Sequence, residues 1–303
     1  MAGPVPARKA DLKLAYALLA ITPALFASNM LTARLVHDFV PPVGLAFWRW
    51  LITFLLLLPW VGRDLWRQRH QALAEWRDML ALGALGIGVC GAVMYVGAAT
   101  TPASNIGLIY SASPILIVLI AGVFYGERLT RRQGVGIALS LVGVLAIIAK
   151  GQPGILFSLD FTEGDLWVLC STIAWALYAI LQKYRPSRLG VMTRFAAIIL
   201  GGLVMLLPFY LWEMTTGRAM RADRDTILAV LFLACVASFG AYQAYAWIQN
   251  VLGAARTGLL MYLVPLYTSG LGYVLLDEPV RLYHLLGAAL VLPGIYLATV
   301  TRR

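Results

Sequence analysis

The sequence predicts an all-α membrane protein whose ten transmembrane helices form two inverted five-helix repeats around a central cavity. Three observations lead to this fold class. The 303 residues are 61% hydrophobic and 13% charged, whereas a soluble domain has about 25% charged residues. Ten apolar runs follow one another with short connections. In addition, a stretch in the first half of the chain is repeated, with substitutions, in the second half.

The ten apolar runs are the basis for predicting helices. Most of them approach the ~20 residues that a helix needs to cross the hydrocarbon core of a bilayer. The strands of a membrane barrel would alternate apolar and polar positions, whereas these runs are apolar on all sides. In chain order, the runs are Leu14–Leu31, Val43–Val61, Met79–Ala99, Ala103–Tyr125, Gly134–Ala149, Leu166–Leu181, Phe195–Trp212, Ile227–Ile248, Gly258–Leu276 and Leu285–Val300.

The duplicated segment divides the chain into two repeats, residues 1–150 and 151–303. Ala103–Gly143 aligns without a gap with Ala254–Gly294 at a constant offset of 151 residues. Each repeat holds five runs, an odd number, so the second repeat is predicted to enter the membrane from the opposite side, about a two-fold axis in the membrane plane. The aligned pairs include Gly107 and Gly258, Pro114 and Pro265, Glu127 and Glu278, Gly136 and Gly287, and Gly143 and Gly294.

The early runs of the two repeats align more weakly. Phe26 stands against Trp175 there, and Arg34 stands against Lys183. With these pairs the whole chain is accounted for by the two repeats, and nothing is left over for a soluble domain.

The basic residues indicate membrane topology. The net charge is +10, and with the N-terminus in the cytoplasm seventeen of the 24 Lys and Arg residues lie on the cytoplasmic side, six lie outside, and Arg49 lies within a run. This bias follows the positive-inside rule. We therefore predict a monomeric, multi-pass protein of the cell inner (plasma) membrane with both termini cytoplasmic. Its basic residues would contact anionic membrane lipids, and no nucleic acid is expected as a partner.

One motif occurs in both repeats. It runs through Pro114, Gly126, Glu127, Gln133, Gly136, Gly143 and Val144, and again through Pro265, Asp277, Glu278, His284, Gly287 and Gly294. This motif resembles that of the EamA family of the drug/metabolite transporter superfamily. The resemblance implies ten helices in two five-helix repeats with cytoplasmic termini. The length and the aromatic content of the inner helices resemble the YddG-type exporters of aromatic amino acids.

Polar and aromatic side chains at helical spacing predict a pocket for a small-molecule substrate. An amide that faced lipid would leave its polar atoms unsatisfied, so these side chains must face other helices or water. As a set they suit a mostly apolar pocket for a flat amphipathic solute, although each could instead join two helices. The predicted substrate-binding residues are Asn29, Tyr95, Tyr110, Trp175, Tyr178, Tyr242, Gln243 and Tyr262.

Two matched prolines are candidates for hinges. Pro114 and Pro265 each remove one backbone hydrogen bond and are predicted to kink their helices. A static kink for packing is the alternative. Because alternating access requires the same bend in each half in turn, the matched positions also suit a hinge in each repeat.

Arg49 is the basic residue placed within an apolar run. It is expected to extend to the outer membrane interface beside Trp48 and Trp50, as long basic side chains near helix ends do. In the alternative, Arg49 lines a cavity and meets a carboxylate.

The acidic residues predict transport without proton coupling. All of them lie near the ends of the runs or in loops, whereas a coupled transporter often keeps an ionisable group at mid-depth. The first run contains Thr22, Asn29 and Thr32 and lacks the Glu that the small multidrug pumps of the superfamily carry there. Glu127 and Glu278 are expected to pair with Arg131 or Arg281, with ion coupling as the alternative.

The sequence carries no pattern typical of a catalytic, metal or cofactor site, so an enzyme is not expected. We predict a transporter that exports small amphipathic metabolites, in particular aromatic or other apolar amino acids, by alternating access. One alternative is efflux of many drugs or of cationic xenobiotics through the same pocket. A membrane-embedded lipid-modifying enzyme would need clustered carboxylates or His at one interface. A scaffold or sensor without transport activity is disfavoured because no soluble domain is present.

Overall fold

Apolar helices make up the fold. The computed structural model describes residues 9–101, 106, 109–110, 112–127, 129–149, 152, 154, 162–216, 220–267, 270–271 and 282–299, and within these ranges no β-strand occurs. Six helices of the described chain are long and apolar enough to cross a membrane. The prediction of an all-α, multi-pass membrane protein is therefore confirmed.

Each predicted run overlaps a helix. The six long helices are α1, α2, α3, α6, α7 and α8, and α4 and α10 are shorter and apolar. A short helix, Arg69–Ala74, lies between α2 and α3, and a 3-10 turn, Leu259–Leu263, continues α9. In chain order, the helices are α1 (Lys9–Val36), α2 (Pro42–Arg67), α3 (Trp76–Thr100), α4 (Ser113–Tyr125), α5 (Arg131–Ile148), α6 (Glu163–Tyr184), α7 (Val191–Thr215), α8 (Arg224–Leu252), α9 (Ala254–Gly258) and α10 (Leu282–Thr299).

Two of the long helices contain a π-helical segment. Ala84–Val93 forms one in α3, and Leu233–Gly240 forms one in α8. A π-helical segment shifts the backbone hydrogen bonds by one residue and is frequent at functional sites. In α3 the carbonyl of Gly86 also accepts a hydrogen bond of 3.0 Å from the hydroxyl of Tyr242. The widened segment of α3 is thus joined directly to α8.

The helices pack in reciprocal pairs. Helix α1 packs against α8, and α6, the corresponding helix of the second repeat, packs against α3. In the same way α2 packs against α8 and α7 packs against α3, while α5 packs against α10 and α2 against α7. These pairs correspond to one another across the two sequence repeats.

Glycines allow α5 and α10 to approach closely. A Cβ atom on Gly136 would lie 2.5 Å from the carbonyl oxygen of Gly294, and one on Gly143 would lie 2.7 Å from that of Gly287. Small residues let helix backbones come together in membranes, where packing and hydrogen bonds drive association. The repeated glycines therefore form the seam between the last helices of the two halves.

The two prolines differ in their position along the helices. Helix α4 begins at Ser113, so Pro114 is in its first turn, where the backbone N–H has no partner within the helix in any case. Pro265 lies where the 3-10 turn passes into the helical segment 264–267. Pro114 therefore removes no hydrogen bond from α4, which corrects the predicted kink there, and the role of both prolines as hinges stays a prediction.

Candidate substrate-binding site

A large cavity opens at the end of the bundle where α1 passes into α2, which we call the α1–α2 end. Its volume is about 530 Å³, within the range of pockets that bind small molecules. The walls come from the ends of α1, α2, α3 and α7. They consist of Ala33, His37, Val40, Pro42, Val43, Leu45, Tyr95, Val96, Ala99, Trp212, Glu213 and Thr216.

A second, smaller cavity lies deeper between the helices. Its volume is about 30 Å³, enough for one or two water molecules and too small for an amino acid. A solute of that size would enter only if the surrounding helices moved apart. This inner cavity is lined by Phe26, Asn29, Met30, Arg49, Cys90, Met94, Tyr110, Trp175, Ala237, Tyr242 and Met261.

Arg49 lies between the two cavities. One terminal nitrogen, Nη1, donates to Oδ1 of Asn29 at 2.8 Å and to the hydroxyl of Tyr95. The Tyr95 hydroxyl in turn donates to the same Asn29 oxygen at 2.6 Å. Because Tyr95 lines the large cavity and Arg49 and Asn29 line the inner one, these three side chains separate the cavities. We call them the Arg49 triad.

The position of Arg49 corrects the expectation that it extends to the membrane interface. Its residue surface is only 3% exposed. The guanidinium carbon lies 4.8 Å from the centroid of the Trp50 ring and 5.2 Å from that of Tyr95, so aromatic faces surround it. The guanidinium group is held inside the bundle by Asn29 and two aromatic rings, and the neighbouring Trp48 is the exposed residue.

Glu213 is an acidic residue in the wall of the large cavity, and its carboxylate is bound to backbone. Helix α2 begins after Pro41, which offers no side-chain cap. The Glu213 carboxylate, from α7, accepts hydrogen bonds from the N–H groups of Val43 at 3.1 Å and Gly44 at 2.6 Å. A carboxylate at a helix N-terminus satisfies free N–H groups and interacts well with the helix dipole. Glu213 therefore caps a helix of the other half.

An aromatic cluster borders the inner cavity. Trp175 is 2% exposed and packs edge-to-face with Phe26, with ring centroids 5.4 Å apart, and with Tyr242 at 5.6 Å. Tyr242 also packs edge-to-face with Trp50 at 4.9 Å. Such edge-to-face pairs are favourable beyond the burial of their area. The predicted residues Trp175 and Tyr242 thus lie together at the wall of the inner cavity.

The other predicted residues are distributed around this cluster. Tyr110 lines the inner cavity, and its hydroxyl shares a hydrogen bond of 2.7 Å with Ser171. Tyr178 packs against Trp175 with centroids 5.6 Å apart. Within the described chain, Tyr178, Gln243 and Tyr262 are not part of the lining of either cavity. Tyr262 is fully buried on the 3-10 turn after α9.

At the opposite end of the bundle, contacts join the two halves of the chain. Glu127, after α4, accepts from the ammonium group of Lys183 and the hydroxyl of Tyr184, both at the end of α6. The rings of Tyr125 and Tyr184 stack with centroids 3.7 Å apart. We call this end the α6–α7 end. The partner of Glu127 is thus Lys183 and not the expected Arg131.

The pKa of Glu127 reflects these contacts. Burial alone would raise the pKa of the carboxyl group, but the hydrogen bonds from Lys183 and Tyr184 outweigh burial, so the pKa lies below its ordinary value. The carboxylate therefore stays charged at neutral pH and keeps its bond to Lys183. The corresponding expectation for Glu278 and Arg281 lies outside the described residues.

Several side chains at this site were not predicted from the sequence. Phe26 and Trp50 were not singled out for the pocket, and Glu213 was not noticed as a helix cap. A signal was present for Phe26, because it aligns with Trp175 in the other repeat. Glu213 gave no local signal, since the backbone groups that it binds lie about 170 residues away.

Comparisons with known proteins identify the family to which the chain is similar. Residues 13–149 and 162–300 each match the model of the EamA-like transporter family. An uncharacterized transporter of Archaeoglobus fulgidus is 26% identical over 284 residues, covering 93% of this chain and 96% of the relative. A probable amino-acid metabolite efflux pump of Salmonella typhimurium is 28% identical over 206 residues, covering 65% and 67%. One solved crystal structure matches with a TM-score of 0.74 and 19% identity over 97% of each chain, a likeness in fold.

Proposed function

The chain belongs to the EamA-like transporter family, and from this premise we propose that it exports small amphipathic metabolites across the inner membrane by alternating access. The resemblance drawn from the repeated motif is confirmed at the level of the family. The proposed solutes are aromatic or other apolar amino acids. The printed name of the Salmonella relative, an amino-acid metabolite efflux pump, supports this choice.

The single observation that carries the proposal is the arrangement of the two cavities. The large cavity leads from one end of the bundle to the Arg49 triad, behind which lie the inner cavity and the aromatic cluster, while contacts of Glu127 hold the two halves together at the other end. A site between one open and one closed end is what alternating access requires. The inner cavity would receive a solute as the helices around it separate.

We further propose that ten helices form two inverted repeats, residues 1–150 and 151–303. The reciprocal helix pairs support this arrangement, and so do the two separate matches to one family model. The excess of basic residues on the α6–α7 side supports a cytoplasmic position for that end and for both termini. The large cavity would then face the outside. A monomer is proposed, because the site lies within one chain.

The Arg49 triad bears on the choice among solutes. A cationic xenobiotic would have to approach a buried guanidinium group in surroundings of low dielectric, where repulsion between like charges is strong. Arg49 therefore favours solutes with a negatively charged group over purely cationic ones. We propose facilitated transport driven by the gradient of the solute, because the acidic residues lie near span ends and Glu127 is held by Lys183.

Counterflow in proteoliposomes tests the proposed function. Vesicles containing the purified protein are loaded with unlabelled phenylalanine, and entry of labelled phenylalanine, leucine or aspartate is followed. We expect a transient overshoot for phenylalanine and leucine and none for aspartate or for protein-free vesicles. No overshoot for any of a wide panel of amino acids would count against amino-acid export. Accumulation driven by an imposed pH gradient would count against facilitated transport.

A further inference from the structure

We propose that Arg49 binds the carboxylate of the transported solute, and that the site requires this carboxylate while the α-ammonium group is dispensable. The solutes would then include arylalkyl carboxylates without any amino group. This inference rests on the proposed transport function and names the chemical group that the same site recognises.

The first step is that Arg49 carries a charge for which the described residues of the inner cavity provide no counter-ion. A basic side chain inside a membrane protein is costly and usually pairs with an opposite charge or faces an aqueous cavity. The bonding partners of Nη1 are Asn29 and Tyr95, both neutral. No Asp or Glu occurs in the described lining of the inner cavity. Glu213, in the wall of the large cavity, is bound to the first turn of α2.

The second step is that two buried donors beside the inner cavity have no acceptor among the described residues. They are Nε of Arg49, which lines the cavity, and Nε1 of the adjacent Trp50. A Cβ atom on Gly91 would lie 3.3 Å from Nη2 of Arg49 and 3.2 Å from Nε1 of Trp50. The guanidinium and the indole N–H therefore lie close together, against the backbone of Gly91. An ionised carboxylate only accepts hydrogen bonds, so it matches a guanidinium and an indole N–H.

The third step concerns the ammonium group of an amino acid. It would need acceptors, and Oδ1 of Asn29 in the cavity lining already accepts from both Arg49 and Tyr95. The hydroxyl of Tyr242 donates to the carbonyl of Gly86 and is neutral, so it offers an ammonium group no opposite charge. The described residues at the inner cavity thus offer strong donors but no anionic acceptor. A positive group gains little here, and its removal costs little.

The aromatic cluster supplies the remaining selectivity. Phe26, Trp175 and Tyr242 line the same cavity as Arg49. A solute whose carboxylate binds Arg49 would place an apolar side chain against these rings. An aromatic ring joined to a carboxylate by a short chain therefore satisfies both parts of the site.

The first test compares four solutes of nearly the same size on the unaltered protein. Phenylalanine carries both charges, 3-phenylpropionate only the carboxylate, phenethylamine only the ammonium, and phenylalaninamide has its carboxylate masked. Each is used to compete with labelled phenylalanine in counterflow and to shift thermal unfolding of the detergent-solubilised protein. We expect 3-phenylpropionate to compete within about threefold of phenylalanine, and both amines to be weaker by roughly tenfold or more.

The second test uses variants of Arg49. In Arg49→Lys the charge remains but the two-pronged geometry is lost, so carboxylate solutes should bind more weakly and still be preferred over amines. In Arg49→Gln the preference should disappear. Arg67→Gln is the matched control, because Arg67 lies exposed at the other end of the same helix, and it should behave as the unaltered protein does. Monodisperse elution and a retained unfolding transition establish that each variant is folded.

The outcomes separate this inference from the proposed function. If phenylalanine is exchanged but 3-phenylpropionate neither competes nor stabilises the protein, the ammonium group is required, and the inference is wrong although transport stands. If phenethylamine competes as well as phenylalanine, Arg49 is not the anchor. If no solute is exchanged, the proposed transport function is wrong, and thermal unfolding alone tests the carboxylate site. Stabilisation by 3-phenylpropionate that is lost in Arg49→Gln would then still support the site. Equal stabilisation of the unaltered protein and of Arg49→Gln would overturn it.

Discussion

The hydroxyl of Ser140 lies 3.4 Å from the backbone carbonyl oxygen of Val291, to which it donates, and the two residues are separated by 151 positions. This separation equals the offset of the sequence repeat, so the bond joins corresponding positions of α5 and α10. Each of the glycine contacts of this seam likewise joins one half to the other. The interface between the two helices is thus self-complementary, as expected around a two-fold axis.

The close contact between α5 and α10 predicts that a large side chain at Gly143 lowers the stability of the protein. In Gly143→Leu the new side chain would collide with the backbone of Gly287, so we expect a loss of stability of about 1–3 kcal/mol, typical of overpacking. Thermal unfolding in detergent measures it. Gly134→Leu is the matched control on the same helix, because nothing lies within 4 Å of a Cβ atom there. Equal unfolding temperatures for the two variants would contradict the close approach of α5 and α10.

The aromatic cluster predicts that Trp175 favours aromatic solutes. In Trp175→Ala the ring contacts with Phe26 and Tyr242 are lost, and an aromatic solute loses about 0.5–1.5 kcal/mol of ring packing. Counterflow of phenylalanine should therefore fall several-fold more than counterflow of leucine. Trp66→Ala, at a ring that is 71% exposed, should leave the ratio of the two solutes unchanged. An equal loss for both solutes in Trp175→Ala would indicate general damage to the fold.

The contacts of Glu127 predict that the α6–α7 end opens more readily when the charge is removed. Glu127→Gln loses the ion pair with Lys183, so a cysteine introduced at Ala121, which is 1% exposed and lies one turn before Tyr125 in α4, should react several-fold faster with a water-soluble maleimide. Glu163→Gln, at the other end of the bundle, is the control. Unchanged labelling would mean that Glu127 does not hold this end closed.

The lowered pKa of Glu127 also fixes the pH at which this closure is lost. A carboxyl group whose pKa is depressed in the folded state stabilises that state at pH values above its unfolded pKa. The contribution is lost as the pH falls through the depressed value. The labelling rate of a cysteine at Ala121, divided by that of a fully exposed reference cysteine to remove the pH dependence of the thiol, should therefore stay constant from neutral pH down to the ordinary carboxyl range and rise below it. A rise already near neutral pH would contradict the direction of the shift.

The positions of the two prolines predict their role in transport. The carbonyl of Tyr110 accepts from the hydroxyl of Ser113 at 2.7 Å where α4 begins. Pro114→Ala restores a backbone N–H and allows α4 to extend backwards, and Pro265→Ala restores an N–H where the 3-10 turn passes into the segment 264–267. We expect turnover to fall several-fold while thermal stability is kept. Pro293→Ala, within α10, is the control. Full turnover in both single variants and in the double variant would mean that the two prolines serve only the packing of the helices and do not act as hinges.

The charge distribution predicts the orientation in the membrane. A cysteine at Arg221, which is exposed after α7, should react with an impermeant maleimide added to intact cells. Cysteines at Arg67 and Arg188 should react only after permeabilisation. The reverse pattern would invert the proposed orientation and make the large cavity face the cytoplasm.

The helices could be predicted from the sequence, because long apolar runs have few structures available in a bilayer. The direction in which each side chain points could not be predicted in the same way. Arg49 was assigned to the interface from its distance to the helix start, but its direction around α2 places it against Asn29 and Tyr95. The expected partner of Glu127 was Arg131, four residues further along the chain, whereas the observed partner, Lys183, is 56 residues away. The π-helical segments also gave no separate signal, since their Gly- and Ala-rich sequences suit an α-helix in lipid as well.

The cap on α2 has a consequence for how the chain is made. The amides of Val43 and Gly44 emerge from the ribosome long before Glu213, the residue that binds them. Until α7 is inserted, the first turn of α2 must rely on water or lipid headgroups. A fragment that ends at residue 150 would never obtain this partner. The two sequence repeats are thus not two autonomous folding units, and maturation of the first is completed only by synthesis of the second.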